Sequence, residues 1–194
     1  AEKLSREITF DQDGPNGIEF ILGFHIQSLD SIFLFNQSGS VITLADTTGQ
    51  IKNKIEYTIP EGQTNAFVHN AYFGSAPRLK GNQLWVKTHI PIQYSKITAD
   101  LMQKSVMGYQ INLEDGSTSL QGISYPEDYL AGGLKFYEPS LVFQPDFTVY
   151  SLSGDHRIFK KSKNGILETF DGKSQYLDES LPYFPIDGER FETQ

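Results

Sequence analysis

The sequence predicts an all-β protein: a propeller-like array of about three antiparallel blades that forms an incomplete part of a larger ring. Three observations carry that reading. Residues 29–60 spell three strand-like runs separated by two turns, with an apolar inner run and an alternating outer one. A glycine-bearing turn recurs at Gly49, Gly116 and Gly165, at intervals near those of propeller blades once a longer connection in the second unit is allowed for. Finally, 14 Phe and 10 Tyr in 194 residues favour strands over helices.

Taken in order, residues 6–10 (REITF) alternate as a strand does, and residues 11–17 (DQDGPNG) are turn chemistry. Residues 18–26 are apolar enough for a further strand. The first clear blade, 29–60, follows. Its outer strand sets Ile51, Ile55, Tyr57 and Ile59 against Lys52, Lys54, Glu56 and Thr58, the period of a half-buried strand. A second blade, 79–129, contains a strand through Trp85 and a helical turn at 97–102. A hairpin closes at Glu114-Asp115-Gly116, and about a dozen extra residues sit on a loop-bearing face. A third blade, 139–179, alternates strands with the turns Ser153-Gly154-Asp155 and Lys163-Asn164-Gly165. One domain therefore spans 1–194. Three blades leave two sheet edges open, which invites pairing with another chain or with sequence beyond these residues.

Composition excludes several functions. A formal net charge of −8 and no basic run argue against nucleic acid and anionic membrane surfaces. The absence of cysteine removes disulfides, thiolate nucleophiles and cysteine metal sites. No apolar stretch is long enough for a transmembrane segment. The four histidines share no metal-ligand spacing, Asp11-x-Asp13 departs from a calcium loop at Pro15 and Asn16, and no nucleophile elbow or phosphate loop is present. The expected set of cofactors, metals and catalytic residues is none.

The residues with binding chemistry are Trp85, His89 and Tyr94 in the second blade and the cluster Asp155-His156-Arg157 beside a turn of the third. An indole or phenol offers a flat platform with a polar tip, but such aromatics read first as core or blade-interface residues, and Trp85, between Leu84 and Val86, reads first as buried. The polar cluster reads first as a solvated turn with Asp at a turn position, and second as a surface for a ligand.

Ile8-Thr9-Phe10 with Gly14-Pro15-Asn16-Gly17, then Leu29-Asp30-Ser31-Ile32-Phe33, then Lys173-Ser174-Gln175-Tyr176-Leu177-Asp178 resemble successive signatures of the domain-of-unknown-function 4221 family. The resemblance implies a propeller in a lipid-anchored, exported protein of Gram-negative bacteria, periplasmic or at the cell surface. Members are longer than 194 residues and carry a lipobox cysteine that this sequence lacks, so the resemblance implies a part of the domain. It brings no catalytic residues. The expected function is a non-catalytic binding or scaffold module of the cell envelope, with a protein or glycan partner. Two other readings stand beside it: a glycan-active hydrolase or lyase with carboxylates from different blades, and a structural subunit of an outer-membrane assembly.

Overall fold

The apolar run at residues 31–36 becomes the dry second strand of a four-stranded sheet. In this computed structural model, residues 7–14, 17–36, 40–61, 63, 67–68, 75–89, 96, 98–130 and 139–176 are described. Blade 1 comprises β1 (Ile21–Ser28), β2 (Ser31–Asn36), β3 (Val41–Ala45) and β4 (Ile51–Glu56), antiparallel in that order. Residues 32–36 of β2 are all buried, whereas β4 exposes Lys52, Asn53, Lys54 and Glu56.

Blade 3 has the four strands expected of it, blade 2 has five, and blade 1 has one more than the three-strand unit expected from the sequence. The reason is the buried edge of the dry strand: its backbone N–H and C=O groups need partners, and β1 supplies them for β2. The strand expected at 6–10 forms no ladder over the described part. Ile8 and Phe10 instead lie against one face of blade 1, packed on Ile18, Ile32, Leu34 and Ala45.

Blade 2 is built on β7 (Gln83–His89), with β8 (Gly108–Asn112) and then β9 (Thr118–Leu120) on one side. Its other edge is shared by two short strands. β6 (Arg78–Lys80) pairs with the start of β7, and β5 (Phe67–Val68) with its end. Between β7 and β8 lies α1 (Ala99–Lys104), whose Leu101 N–H donates to the capping Thr98 Oγ1 at 3.2 Å. The helical turn expected at 97–102 therefore sits two residues later. A second short helix, α2 (Glu127–Leu130), follows β9 with no forerunner in the sequence reading. Blade 3 is a plain meander of β10 (Ser140–Phe143), β11 (Phe147–Ser151), β12 (Arg157–Ser162) and β13 (Leu167–Asp171).

The blades stack by their faces. Phe33, Phe35, Ile42, Ile55 and Tyr57 of blade 1 meet Leu84, Val86, Tyr109 and Ile111 of blade 2 in a dry interface. Leu141, Phe143, Tyr150 and Phe159 of blade 3 meet Met102, Met107, Ile123, Tyr125 and Tyr129, most of them from the segments around α1 and α2. The result is an all-β, propeller-like array of three blades that does not close on itself among the described residues. The face of blade 3 turned away from blade 2 carries Val142, Ile158 and Phe170, all exposed.

The β8–β9 hairpin locks the first two blades together. Thr58 N–H of blade 1 donates to Gly116 O at 3.0 Å, and Gly116 has φ +70°, with a hypothetical Cβ driven into the Glu56 carbonyl oxygen. Gly165, the corresponding turn glycine of blade 3, has φ +90° but open space around its missing Cβ. Gly165→Ala is therefore expected to cost about 1–2 kcal/mol of left-handed strain alone. Gly116→Ala costs that strain plus a displaced blade contact, so its loss in urea unfolding free energy is the larger of the two. Equal losses would remove the locking role.

Two core phenols make the array sensitive to alkali. Burial pushes the Tyr109 hydroxyl up to about 12, with Tyr57 adding to the rise. Burial likewise pushes Tyr150 up to about 12, against the opposing pull of Arg157. A folded-state pKa above the unfolded value of 10.0 means stability is whole below pH 10 and drains away as pH rises toward 12. Tyr109 also has no hydrogen-bond partner for its buried hydroxyl among the described residues. Tyr109→Phe is expected to leave stability at pH 7 unchanged or about 1 kcal/mol higher, and to flatten its decline between pH 10 and 12. Denaturant midpoints measured across that range check both signs.

Candidate functional site

Side chains alternate across a strand, so each blade has two chemically separate faces. Blade 2 uses them differently. Leu84, Val86, Tyr109 and Ile111 form the dry face toward blade 1. On the other face, Arg78, Trp85, Gln110 and Ser119 are paired one to the next across β6, β7, β8 and β9 and form a single polar row. Opposite runs a row of blade 3: Phe143, Thr148, Lys161 and Leu167 across β10 to β13.

Between the two rows lies a groove of about 350 Å³. Trp85, Gln110, Ser119 and Gln121 line one wall. Thr148 and Lys161 line the other, with Asp146 and Lys163 from the turns at the mouth. At one end the blades are stitched together: Arg78 Nη1 donates to Phe143 O at 3.2 Å and to Gln144 Oε1 at 2.7 Å. Gly108 permits the close approach, since a Cβ there would press on the Phe143 ring at 3.3 Å.

The amides of the wall are held in order. Gln110 Nε2 donates to Gln83 Oε1 at 2.9 Å, and Gln121 Nε2 donates to Gln110 Oε1 at 3.3 Å. This ladder runs from β7 through β8 to the residue after β9, so the central amide is fixed in direction. Trp85 is half-buried, packed on the apolar cluster between blades 2 and 3.

The residues singled out in the sequence are not gathered in one place. Trp85 lines the groove. His89 is half-buried at the far end of β7, paired with Phe67. Tyr94 lies outside the described residues. Asp155 and His156 lie in the β11–β12 connection and Arg157 opens β12, at the opposite end of blade 3 from the turns that flank the groove.

Asp155 and Arg157 form an ion-paired clamp. Asp155 accepts the Arg157 backbone N–H at 2.8 Å and its guanidinium at 2.6 Å, and Arg157 Nη1 reaches Asp128 Oδ2 of α2 at 2.5 Å. The guanidinium also stands over the Phe159 ring, 5.2 Å from its centre. The hydrogen bonds that Arg157 donates to Asp155, and then to Asp128, hold its guanidinium above its ordinary range. Tyr129, stacked on Tyr125, donates its hydroxyl to Ser153 O at 2.7 Å. These contacts pin α2 to blade 3.

The polar wall residues Gln110, Ser119, Gln121, Thr148 and Lys161 were not singled out from the sequence. The alternation of Tyr109 and Ile111 with Gln110 and Asn112 was visible, but which face meets the next blade is a property of the stack.

The model of the family described as Domain of unknown function (DUF4221) matches residues 1–193. The chain belongs to this family. DUF4221 is also the family of a similar solved structure, the crystal structure of a member from Bacteroides vulgatus. It shares 17% sequence identity and a TM-score of 0.68 over 90% of this chain. The chain spans about half of that DUF4221 protein, 49% of its length. At this identity the likeness concerns the fold. The computationally designed Ika4 protein also aligns, at 11% identity over 87% of this chain and 99% of its own, with a TM-score of 0.40 that carries no argument. No curated protein matches the DUF4221 chain. Among the described residues of this DUF4221 member, no helix is long and apolar enough to cross a membrane, and no group of three or more His, Asp or Glu converges on a metal position.

Truncating the clamp separates packing from binding. Arg157→Ala leaves Asp155, whose side chain is only 8% exposed, without its guanidinium. The expected loss is about 1–3 kcal/mol of stability. Asp128→Ala removes a partner that is 65% exposed and is expected to cost about 0.5 kcal/mol or less. Chemical denaturation of the two variants checks the order.

Proposed function

We propose that this chain is a non-catalytic binding module of the cell envelope and that the groove between blades 2 and 3 is its ligand site. The single observation behind this reading is the asymmetry of blade 2. One face is sealed by apolar side chains, while the other sets an ordered amide ladder and Trp85 along a groove. A few polar groups fixed in a concave, partly aromatic site are the usual makings of ligand recognition. Placement in the periplasm or at the cell surface follows from what the family resemblance implies.

The glycan-active hydrolase is the weaker reading. Glycoside cleavage uses two facing carboxylates, and among the described residues lining the groove Asp146 is the one carboxylate.

Trp85 is the single tryptophan of the chain, so its emission reports on the groove alone. Titration with a panel of soluble oligosaccharides and peptides is expected to shift that emission and raise Tm. A ligand at about a hundred times its Kd adds about 2.7 kcal/mol. Gln110→Ala, which removes the middle of the ladder, should weaken such a ligand about ten-fold or more while changing unfolding free energy by about 1 kcal/mol or less. A ligand that raises Tm but ignores Gln110→Ala and leaves Trp85 emission unmoved would place binding elsewhere and overturn the assignment.

A further inference from the structure

We propose that the groove is selective for an acidic saccharide, a sugar chain bearing ring carboxylates; this rests on the groove being the ligand site. The two walls make different demands. On the blade 2 wall, the ladder holds the Gln110 amide with its nitrogen and oxygen both fixed in direction. Side-chain amides and the Ser119 hydroxyl both donate and accept, which suits neighbouring hydroxyls, since each of those also donates and accepts. Trp85 contributes a rigid apolar surface that loses little entropy on contact.

On the blade 3 wall the charge has the wrong sign for the chain as a whole. The protein carries −8 overall, yet the groove brings Lys161 and Lys163 together with one carboxylate, Asp146. The register explains how. Lys160 and Lys161 point to opposite faces of β12. Lys160 meets Glu168 at 2.6 Å on the outer face, and Lys161 lies on the row that faces blade 2. Local cations in an anionic protein hold an anion that the general field repels, which selects for contact at that spot. Spaced carboxylates on a hydroxyl-rich chain answer both walls at once: lysines for the acid, amides for the hydroxyls, indole for the ring.

The test uses trigalacturonate, its methyl ester and triglutamate, followed by Trp85 emission and calorimetry. Expected is a shift in emission with trigalacturonate only. Its affinity should fall about ten-fold in the double variant Lys161→Gln, Lys163→Gln and fall again in about 0.5 M salt. Equal binding of the uncharged methyl ester would overturn charge selection and leave the groove as a site. Equal binding of triglutamate would overturn the saccharide and point to an acidic peptide. If trigalacturonate fails while another ligand moves Trp85 emission in a Gln110-dependent way, this inference falls and the binding-module reading survives. Silence of Trp85 toward every ligand overturns both.

Discussion

A sheet in the middle of a stack must satisfy two neighbours with side chains that alternate at a period of two, and this constraint governs the molecule. Blade 2 meets it on one side in the simplest way, with Leu84, Val86, Tyr109 and Ile111 buried against the apolar face of blade 1. On its other side the alternation leaves Gln83, Trp85, Gln110 and Ser119 pointing at blade 3. Full burial of such a row would cost about 1–3 kcal/mol for each amide or hydroxyl left without a partner. The structure divides the interface instead. Segments carrying Met102, Met107, Ile123, Tyr125 and Tyr129 fill its apolar part, and the polar row borders an open groove with its amides bonded to one another.

The inserted segments are therefore part of the packing and not decoration on a loop. α1 is too short to be stable alone. It places Met102 in the core, and its capping and its Asp100–Lys104 pair fix only its ends. α2 is shorter still. It is held from outside, by Tyr129 on Ser153 and by Arg157 reaching Asp128. The cluster that looked most like a ligand surface in the sequence, Asp155-His156-Arg157, contributes its charge to that attachment. Asp155 receives the Arg157 N–H two residues on, as an Asx residue at a turn does, and the guanidinium completes the pair.

How much could be read in advance follows from the range of each interaction. Turns are local, so the glycines at 49, 116 and 165 and the Asx residues beside them were legible. Asp46 accepts the Thr48 hydroxyl at 2.6 Å and Asp115 the Ser117 hydroxyl at 2.6 Å, the same device in two blades. The dry β2 and the alternating β4 were legible for the same reason. β1 was visible as an apolar stretch, but its place in blade 1 depends on which edge of β2 needed covering. The first strand position of blade 2, split between β5 and β6, and the helix α2 are set by partners far away in sequence, and no local pattern announces them. Trp85 stood out by type; Gln110, Ser119, Gln121, Thr148 and Lys161 acquire meaning only through cross-strand register and the stacking of one blade on the next.

The same reasoning says why a site would form at this interface and not between blades 1 and 2. Both interfaces join the same kinds of sheet, and both are tied by backbone carbonyl contacts: Thr58 to Gly116 in one, Arg78 to Phe143 in the other. They differ in what the tie costs to bury. A backbone N–H meeting a carbonyl closes on itself and leaves no charge, so the blade 1–blade 2 seam can be dry. A guanidinium carries charge into the seam, and Arg78 Nε there has no hydrogen-bond partner among the described residues. Polar surroundings lower that cost. A charged tie, an amide ladder beside it and a groove beyond are thus mutually consistent. Replacing any one of them with apolar packing would leave the other two buried in surroundings that do not suit them.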